Sequence, residues 1–336
     1  MSMDDLRVGV IGCGRHARSH FEMIAAEPRV RLVAIAELDD GRRAEAEQHL
    51  SVPGYSDYRR MLDEQDLDIV HVVTMPAHLK AIVLDCLERD INVSVEKSPG
   101  MDSTETQDMA DAEATSGARA IVSLNRRYLP EVLAVRRLAR EHGGTVNCGA
   151  IYNKALSATS ERFDSLLPPP IISDAIHHVD LLRWFAGPSE DRASVPTEVY
   201  SVVADGPRPV EHRQNAVIRF DTGAIGSIES QYGVGGRIQR AEIHAQDFSA
   251  YLDLTKREKK VEMYRSTPDI QPRMVGAQID EPLDLDAVGG AGFNEVKHFV
   301  DCILEDRTPW SNLKDAVITM KLCEAIRSGH KGTLDL

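Results

Sequence analysis

The stretch from Val8 to Ala17 constrains the fold more than any other part of this chain. Its first four residues are apolar or small and predict a buried strand, which breaks at Gly12 and Gly14 before a helix. Gly12 permits a tight turn, Gly14 lets a pyrophosphate approach the backbone, and Ala17 allows helix and sheet to pack closely. Free N–H groups at the start of the helix would bind the phosphates. The pattern therefore predicts a dinucleotide-binding turn.

An acidic residue stands where such a turn needs one. The apolar run 31–36 predicts the second strand, and Glu37 follows it directly. A carboxylate at this place accepts hydrogen bonds from ribose hydroxyls and repels a 2′-phosphate. No basic residue occurs between Glu37 and Arg42. These residues favour NAD over NADP as the cofactor.

Length and charge limit the class of protein. With 336 residues, of which 42% are hydrophobic and 27% charged, the chain is long enough for two globular domains. Its formal net charge of −14 argues against nucleic acid or an anionic membrane surface as a partner. No basic leader precedes the first strand and no apolar run could span a bilayer, so we expect a cytoplasmic protein.

The cysteines and histidines predict no metal site. Five cysteines, an odd number without short paired spacings, are typical of reduced thiols in a cytoplasm. The neighbouring His177 and His178 would diverge on a helix and could not easily share one ion.

Residues 1–124 alternate strands with helices, which predicts a Rossmann-type α/β domain with a parallel sheet and right-handed crossovers. The predicted strands are 7–11, 31–36, 69–74, 92–95 and 118–123. The predicted helices between them are 17–26, 41–49, 58–64, 77–88 and 104–116.

Residues 125–336 change pattern and predict an α+β domain with a large, mostly antiparallel open sheet, since strands follow one another without helices after residue 196. The stretch 266–292 is expected to be a surface loop. Whether the last helices pack back on the first domain is left open. The helices predicted in this half are 130–142, 173–185, 294–304 and 315–328, and a strand is predicted at 145–152.

The second-domain sheet is expected to leave one face free of its own helices. Burying that face against a second copy of the chain would give a homodimer or homotetramer. The alternating residues assigned to the face are Ala224, Ile225, Ile228 and Tyr232.

Lys97 follows the predicted strand 92–95, at the edge of the sheet where such folds place active residues. An ammonium there could stabilise the oxygen of a hydroxyl being oxidised. A solvated lysine after a strand is the structural alternative. We expect the substrate between the two domains, facing the carboxyl ends of the parallel strands.

A second candidate group lies at the predicted start of helix 173–185. Ser173 could cap the helix, and Asp174 would complement its dipole. His177 shares their face, and the dipole favours its neutral form, which suits a general base. From these residues alone, a core or surface histidine without a catalytic role is the favoured interpretation.

Taken together, the motifs resemble the Gfo/Idh/MocA oxidoreductase family, which includes glucose–fructose oxidoreductase and inositol dehydrogenase, along nearly the whole chain. The matching motifs are Gly12-Cys13-Gly14-x-x-Ala17, the strand end at Thr74, Glu96-Lys97, Asn125-Arg126-Arg127, His177-x-x-Asp180-Leu-Leu-Arg-Trp and Asn294-Glu295…His298-Phe299. The resemblance implies that Lys97 and His177 are the catalytic pair.

Three positions depart from the family pattern. Ser98 replaces the proline that usually follows the lysine, so a cis bond in this loop is expected at Ser98–Pro99. The family acid usually stands where this chain has Ser173, and Asp174 either takes over proton relay or only caps the helix. The Thr-Pro-Asn run of the family is replaced by Thr74-Met75-Pro76, with His78 near a position often held by histidine.

The resulting candidate residues fall into three groups. The catalytic candidates are Lys97, His177 and Asp174. The cofactor-binding candidates are Gly12, Gly14, Arg15, His16, Glu37, Thr74, His78, Glu96 and Lys97. The substrate-binding candidates are Arg127, Tyr152, Asn153 and Tyr232.

The function these residues predict is an NAD-dependent dehydrogenase that oxidises a secondary hydroxyl of a sugar, a sugar derivative or a cyclitol. Two alternatives remain at this point. One is an NAD-using glycosidase that oxidises its substrate transiently, and the other is a regulatory protein that senses cofactor or sugar without turnover.

Overall fold

The computed structural model describes residues 5–155, 166–206, 212–256, 260–266, 277–279 and 281–336. The chain divides into two compact units. The first contains the chain up to Ser123, residues 166–168 and the segment Asn294–Val317, and the second contains the remainder.

The first unit is built on a six-stranded parallel sheet in the order β3-β2-β1-β4-β5-β6, which confirms the predicted Rossmann architecture. Strand order reverses between β1 and β4, the place where open parallel sheets bind ligands at their carboxyl edge. The strands are β1 (Leu6–Ile11), β2 (Val30–Ala36), β3 (Gly54–Tyr55), β4 (Ile69–Val72), β5 (Asn92–Val95) and β6 (Ala120–Val122). The helices are α1 (Ala17–Ala25), α2 (Asp40–Leu50), α3 (Tyr58–Glu64), α4 (Pro76–Leu87) and α5 (Ser103–Thr115).

The second unit contains a nine-stranded sheet in the order β14-β13-β12-β11-β7-β10-β9-β8-β15. Its neighbours are antiparallel except for the central pair β7 and β10, so the predicted mostly antiparallel sheet is confirmed. The strands are β7 (Thr145–Lys154), β8 (Pro196–Asp205), β9 (His212–Phe220), β10 (Ile225–Tyr232), β11 (Ile238–Ala245), β12 (Phe248–Asp253), β13 (Lys260–Arg265), β14 (Ala277–Ile279) and β15 (Lys331–Thr333).

Helices of the second unit cover one face of this sheet. The helix α6 (Pro130–Glu141) packs on β11 and β12, and α7 (Ile176–Phe185) packs on β7 and β10. Two further helices follow in the sequence: α8 (Glu295–Leu304), which belongs to the first unit, and α9 (Leu313–Ser328), which begins in the first unit and continues in the second. No helix in the described ranges is long and apolar enough to cross a membrane.

The residues assigned to the uncovered face need correction. Ala224, Ile228 and Tyr232 are at most 2% exposed and lie on the helix-covered side, whereas Ile225 is 38% exposed on the opposite side. Side chains alternate along a strand, so residues of even and odd number in β10 point to opposite faces. Only Ile225 of the four therefore belongs to the open face.

The predicted loop 266–292 is also partly wrong. The short strand β14 lies within it and pairs with β13, while residues 267–276 and 280 lie outside the described residues. Two further short strands, β3 and β15, were not predicted. Strands of two or three residues carry too few side chains to show an alternating pattern.

A half-buried carboxylate in the first unit, Glu113, makes its stability depend on pH. Glu113 near the end of α5 accepts hydrogen bonds from the backbone N–H of Ala120 (2.8 Å) and of Leu313 (3.3 Å). Burial outweighs these bonds and raises the pKa of Glu113 to about 7. The folded chain therefore holds this proton more tightly than the unfolded chain does.

Stability from Glu113 is fully present below its unfolded pKa near 4.5 and is lost as pH rises through about 7. We expect the Glu113→Gln variant to lose less unfolding free energy than the parent between these pH values, by about 1 to 3 kcal/mol. Denaturant titrations at several pH values measure this. Glu88→Gln, at an exposed position, is the control, and parallel pH curves for parent and Glu113→Gln would contradict the assignment.

Candidate active site

The glycine turn of the first unit has the geometry of a phosphate cradle. Gly12 adopts a φ of +94°, which favours glycine, and a Cβ at this residue would lie 2.3 Å from the carbonyl oxygen of Val73. A Cβ at Gly14 would meet no atom within 4 Å, so its backbone faces open space. Ala17 is fully buried in the first turn of α1. The three residues thus fit the dinucleotide that the sequence predicts.

The carboxylate of Glu37 is held beside this turn. Its Oε2 accepts the backbone N–H of Cys13 (2.8 Å), and its Oε1 accepts the backbone N–H of Asp39 and the Nη2 of Arg42, each at 3.0 Å. Burial alone would raise the pKa of Glu37, but the bonds from Arg42, Asp39 and Cys13 lower it. The residue is therefore ionised and oriented at the end of β2, where a ribose acceptor is needed.

Thr74 lies next to the turn, since a Cβ at Gly12 would be 3.2 Å from its Cγ2. The Oγ1 of Thr74 is buried and has no hydrogen-bond partner among the described residues. A buried hydroxyl without a partner calls for an explanation, and a bound cofactor would supply one. Arg15 and His16 are exposed just before α1, whereas His78 is exposed on the first turn of α4.

The loop after β5 is fixed by Glu96. The Oε2 of Glu96 accepts the backbone N–H of Lys97 (2.8 Å), and its Oε1 lies 3.0 Å from the Nε2 of His20. Lys97 is half-buried at the carboxyl end of the strand. Both oxygens of the Glu96 carboxylate are thus used in contacts with other residues of the protein. One of these contacts holds the backbone at Lys97.

The position of the cis peptide in this loop differs from the expectation. The cis bond joins Lys97 to Ser98, and the predicted cis bond at Ser98–Pro99 is wrong. The preference of proline for cis geometry describes X–Pro bonds in general and does not decide a particular loop.

The helix that carries His177 begins differently from the predicted one. A π-helical segment, Ile171–Ala175, precedes α7, and the cap positions Pro170 and Ala175 make no side-chain cap bond. Ser173 and Asp174 therefore lie inside the helical stretch, and the predicted capping by either residue is wrong. Asp174 instead accepts a hydrogen bond from the Nζ of Lys154 at 2.7 Å.

His177 and His178 differ in environment. His177 is half-buried, while His178 is fully buried with its ring 5.1 Å from that of Tyr152 in an edge-on arrangement. Burial and then the charges of Arg126 and Arg237 lower the pKa of His178 to about 3, so it is neutral at physiological pH. His177 is therefore the more accessible of the two histidines.

The predicted substrate contacts of the second unit divide into two kinds. Tyr232 is buried and donates its hydroxyl to the carbonyl oxygen of Pro170 (2.7 Å), and Tyr152 is buried 6.0 Å from the Tyr232 ring. Both positions support the helical segment rather than offer an open contact. Asn153 is half-buried, and its Oδ1 has no partner among the described residues, so it remains a candidate.

Burial does not support Arg127 as a substrate contact. Arg127 and Asp180 are both fully buried, with Nε of the arginine 2.7 Å from Oδ2 and its Nη2 bonded to Oδ1. The neighbouring Arg126 is the less enclosed of the two arginines. The sequence could not distinguish them, because the short 3₁₀ segment Asn125–Tyr128 sends adjacent side chains in different directions.

A parallel sheet with a glycine turn, an oriented carboxylate after β2 and a lysine after β5 is the arrangement of a dinucleotide-binding protein. Among the described residues, no group of three or more potential ligands could hold a metal ion. Residues 6–124 match the model of the GFO_IDH_MocA oxidoreductase family, described as having an NAD-binding Rossmann fold.

Curated relatives extend the match over most of the chain. The chain is 30% identical to the inositol 2-dehydrogenase of Mycolicibacterium smegmatis over 75% of its own length and 73% of the relative's. It is 27% identical to the levoglucosan dehydrogenase of Pseudarthrobacter phenanthrenivorans, with 76% of each covered. A solved structure of levoglucosan dehydrogenase with NADH shares the fold at a TM-score of 0.84 and 21% identity, covering 99% of this chain and all of that one.

The chain belongs to the Gfo/Idh/MocA oxidoreductase family, as the sequence motifs implied. It is an NAD-dependent oxidoreductase.

Proposed function

We propose that the protein is an NAD-dependent dehydrogenase that oxidises a secondary hydroxyl of a sugar or cyclitol. Relatives named inositol 2-dehydrogenase and levoglucosan dehydrogenase support the substrate class. The observation that carries the proposal is Lys97 at the carboxyl end of β5, with its backbone held by Glu96, in the same unit as the glycine turn and Glu37.

Four residues of the first unit would hold the cofactor. Backbone N–H groups after Gly12 and around Gly14 would bind the pyrophosphate, and Glu37 would accept the ribose hydroxyls. The hydroxyl of Thr74 would gain the partner that it lacks among the described residues. When bound, NAD supplies the acceptor for the hydride that leaves the substrate carbon.

Lys97 and His177 would share the work on the substrate hydroxyl. The ammonium of Lys97 donates a hydrogen bond to the substrate oxygen and stabilises the negative charge that develops there. The imidazole of His177 accepts the hydroxyl proton. Asp174, already ion-paired with Lys154, would fix the start of the helix that presents His177.

The cofactor preference should depend on Glu37. We expect Glu37→Ala to weaken NAD binding by about 10- to 100-fold, because ribose hydroxyls lose a charged acceptor. NADP binding should change less or improve, since Arg42 loses its carboxylate partner at 3.0 Å. Fluorescence titration with each nucleotide measures both values. Asp40→Ala, which removes an exposed partner of Arg43, is the control, and an unchanged NAD affinity in Glu37→Ala would refute the role.

A substrate screen tests the reaction itself. NADH formation is followed spectrophotometrically over a panel of inositols, aldoses, levoglucosan and sugar acids at saturating NAD. The proposal expects turnover of at least one cyclitol or sugar that depends on a free secondary hydroxyl. Absence of turnover across the whole panel, with NAD binding intact, would count against a dehydrogenase.

We also propose that the open face of the nine-stranded sheet forms a homodimer or homotetramer contact. Exposed apolar side chains support this. Tyr200 and Val217, opposite one another on β8 and β9, are 53% and 49% exposed, and Val202 is 70% exposed. Burial of such residues against a copy of the chain is the usual route to symmetric oligomers.

Light scattering on the parent and on a Val202→Asp/Val217→Asp variant tests the contact. A charge in this face should shift the oligomer to a smaller species at equal protein concentration, because burying an unpaired carboxylate is costly. A parent protein that is monomeric at micromolar concentration would refute the proposal.

A reducing, cytoplasmic location is the compartment that we propose. All five cysteines are free thiols, and four of them are buried. Burial raises the pKa of Cys86, a buried thiol of α4, to about 12, so it stays protonated and unreactive.

A further inference from the structure

Two arginines of the second unit lack a carboxylate partner among the described residues. Arg126 donates from Nη2 to the Oε1 of Gln239 (2.6 Å), while its buried Nε has no partner there. Arg237 is exposed immediately before β11 and makes no ion pair within the described ranges. The chain has a formal net charge of −14, so its carboxylates outnumber its cations, yet neither arginine is paired with a carboxylate among the described residues.

The strand register brings both arginines to one end of β7. Gln239 lies opposite Tyr152 and Ile238 opposite Asn153, so Arg237 flanks the last residue of that strand. Arg126 reaches the same place through its bond to Gln239. Arg126 is thus held at Gln239, two positions along the chain from Arg237.

Near the end of β7, positive charges outnumber the carboxylates that pair with them among the described residues. A third cation, Lys154, is already paired with Asp174 at 2.7 Å. Burial and then the charge of Arg237 lower the pKa of Arg126, as expected for a guanidinium that has a like charge nearby and no anion. Among the described residues, the guanidinium groups of Arg126 and Arg237 therefore have no carboxylate partner at this end of β7.

Polar atoms beside the two arginines also lack hydrogen-bond partners among the described residues. Both ring nitrogens of His178 are buried and have no hydrogen-bond partner among the described residues, and its ring lies against Tyr152. The charges of both arginines reach His178 and Tyr152 alike. Buried donors and acceptors in native proteins are normally satisfied, so the cluster lacks a polar occupant.

We infer that Arg126 and Arg237 bind a carboxylate of the substrate, and that the substrate is an acidic sugar or polyol such as an aldonate or a uronate. Planar guanidinium groups bind carboxylates through paired hydrogen bonds, which neutral hydroxyls cannot match in charge. This assignment rests on the proposed dehydrogenase function and specifies its substrate class.

Equilibrium binding tests the inference without using turnover. Isothermal titration of the protein saturated with NADH, which cannot accept a hydride from the sugar, compares D-glucuronate and D-gluconate with D-glucose, and the corresponding galactose acids with D-galactose. The acid of at least one pair should bind at least about 10-fold more tightly than its neutral partner. That advantage should shrink as salt is added, because part of the Arg237 contact is exposed.

Variants identify the residues responsible. Arg237→Gln should abolish the preference for the acid, and since Arg237 is exposed the variant should fold normally. Arg126→Lys should keep the charge but lose paired bonding, giving an intermediate loss. Arg240→Gln changes an exposed arginine on the other face of β11, near Asp253, and should leave the preference unchanged.

The possible results of these measurements test the carboxylate assignment and the dehydrogenase proposal separately. Equal binding of acids and neutral sugars, or tighter binding of D-glucose 6-phosphate than of either glucose acid, would overturn the carboxylate assignment. So would a fall in NAD affinity in Arg237→Gln equal to the fall for the acid. Turnover of neutral cyclitols without any acid preference would retain the dehydrogenase and reject the inference. Arginine-dependent acid binding without NADH formation from any substrate would retain the site and reject the dehydrogenase.

Discussion

Replacing Lys97 by alanine is expected to lower kcat by about 10²- to 10⁴-fold while leaving the Kd for NAD largely unchanged. The reason is that the ammonium stabilises charge that develops on the substrate oxygen only as hydride leaves. His177→Ala should produce a loss of similar size, because it removes the group that accepts the hydroxyl proton. Steady-state kinetics on a substrate found by the screen, with nucleotide binding followed by fluorescence, measures both effects.

Two features of the kinetics distinguish catalysis from damage to the fold. The double variant should lose less than the product of the single losses, since the two groups act on one hydroxyl. Lys80→Ala, which removes a lysine paired with Asp108 on a neighbouring helix, should keep the parent rate. Parent-like turnover in both Lys97→Ala and His177→Ala would end the assignment of this pair.

Replacing Asp180 by alanine should lower the free energy of unfolding by about 3 to 5 kcal/mol. Asp180 is fully buried and accepts two bonds from Arg127 and one from the Oγ1 of Thr319 (2.9 Å), so its removal takes a carboxylate away from a fully buried guanidinium. Denaturant unfolding followed by circular dichroism measures the change.

A double variant and an exposed pair provide the comparisons. Arg127→Met combined with Asp180→Leu should recover part of the loss, because the Arg127 charge is removed together with its carboxylate, while the fully buried Arg183, 4.0 Å from Oδ1 of Asp180 in the parent, still loses that carboxylate. Glu198→Ala removes the partner of Arg219 in a pair whose side chains are 35% and 55% exposed, and it should cost less than about 1 kcal/mol. Equal losses of unfolding free energy in Asp180→Ala and Glu198→Ala would show that the buried pair contributes no more to stability than the exposed pair does.

The first unit was the more predictable half of the fold. Its strands are short buried runs separated by helices, and the glycine turn with Glu37 forces a particular order of elements. In the second unit, pattern alone predicted an antiparallel sheet but assigned Ala224 and Ile228 to the wrong face. A single strand reveals which residues alternate, but it does not reveal which of its two faces the helices cover.

The candidate site was also only partly predictable from the sequence. Lys97 and His177 follow from motifs, whereas the contrast between Arg126 and Arg127 depends on which side chain meets Asp180. Likewise, the spacing around Asp174 left proton relay and helix capping open and gave no sign of its ion pair with Lys154, twenty positions earlier in the chain. Contacts between residues distant in sequence leave no mark in local spacing, and a single sequence does not contain them.

The nucleotide-binding half is assembled from segments that are far apart in the sequence. The edge strand β6 exchanges hydrogen bonds with Ser311, whose backbone oxygen accepts the N–H of Val122 (2.8 Å) and whose hydroxyl donates to its carbonyl (2.7 Å). Ser123 donates to the buried Glu295. During synthesis Glu295 emerges 172 positions after Ser123, and Ser311 emerges 189 positions after Val122, so this half reaches its final form only after the intervening part of the second unit has emerged. A fragment ending at residue 124 would lack them and expose the edge of its sheet, which makes the excised domain a poor reagent for nucleotide binding.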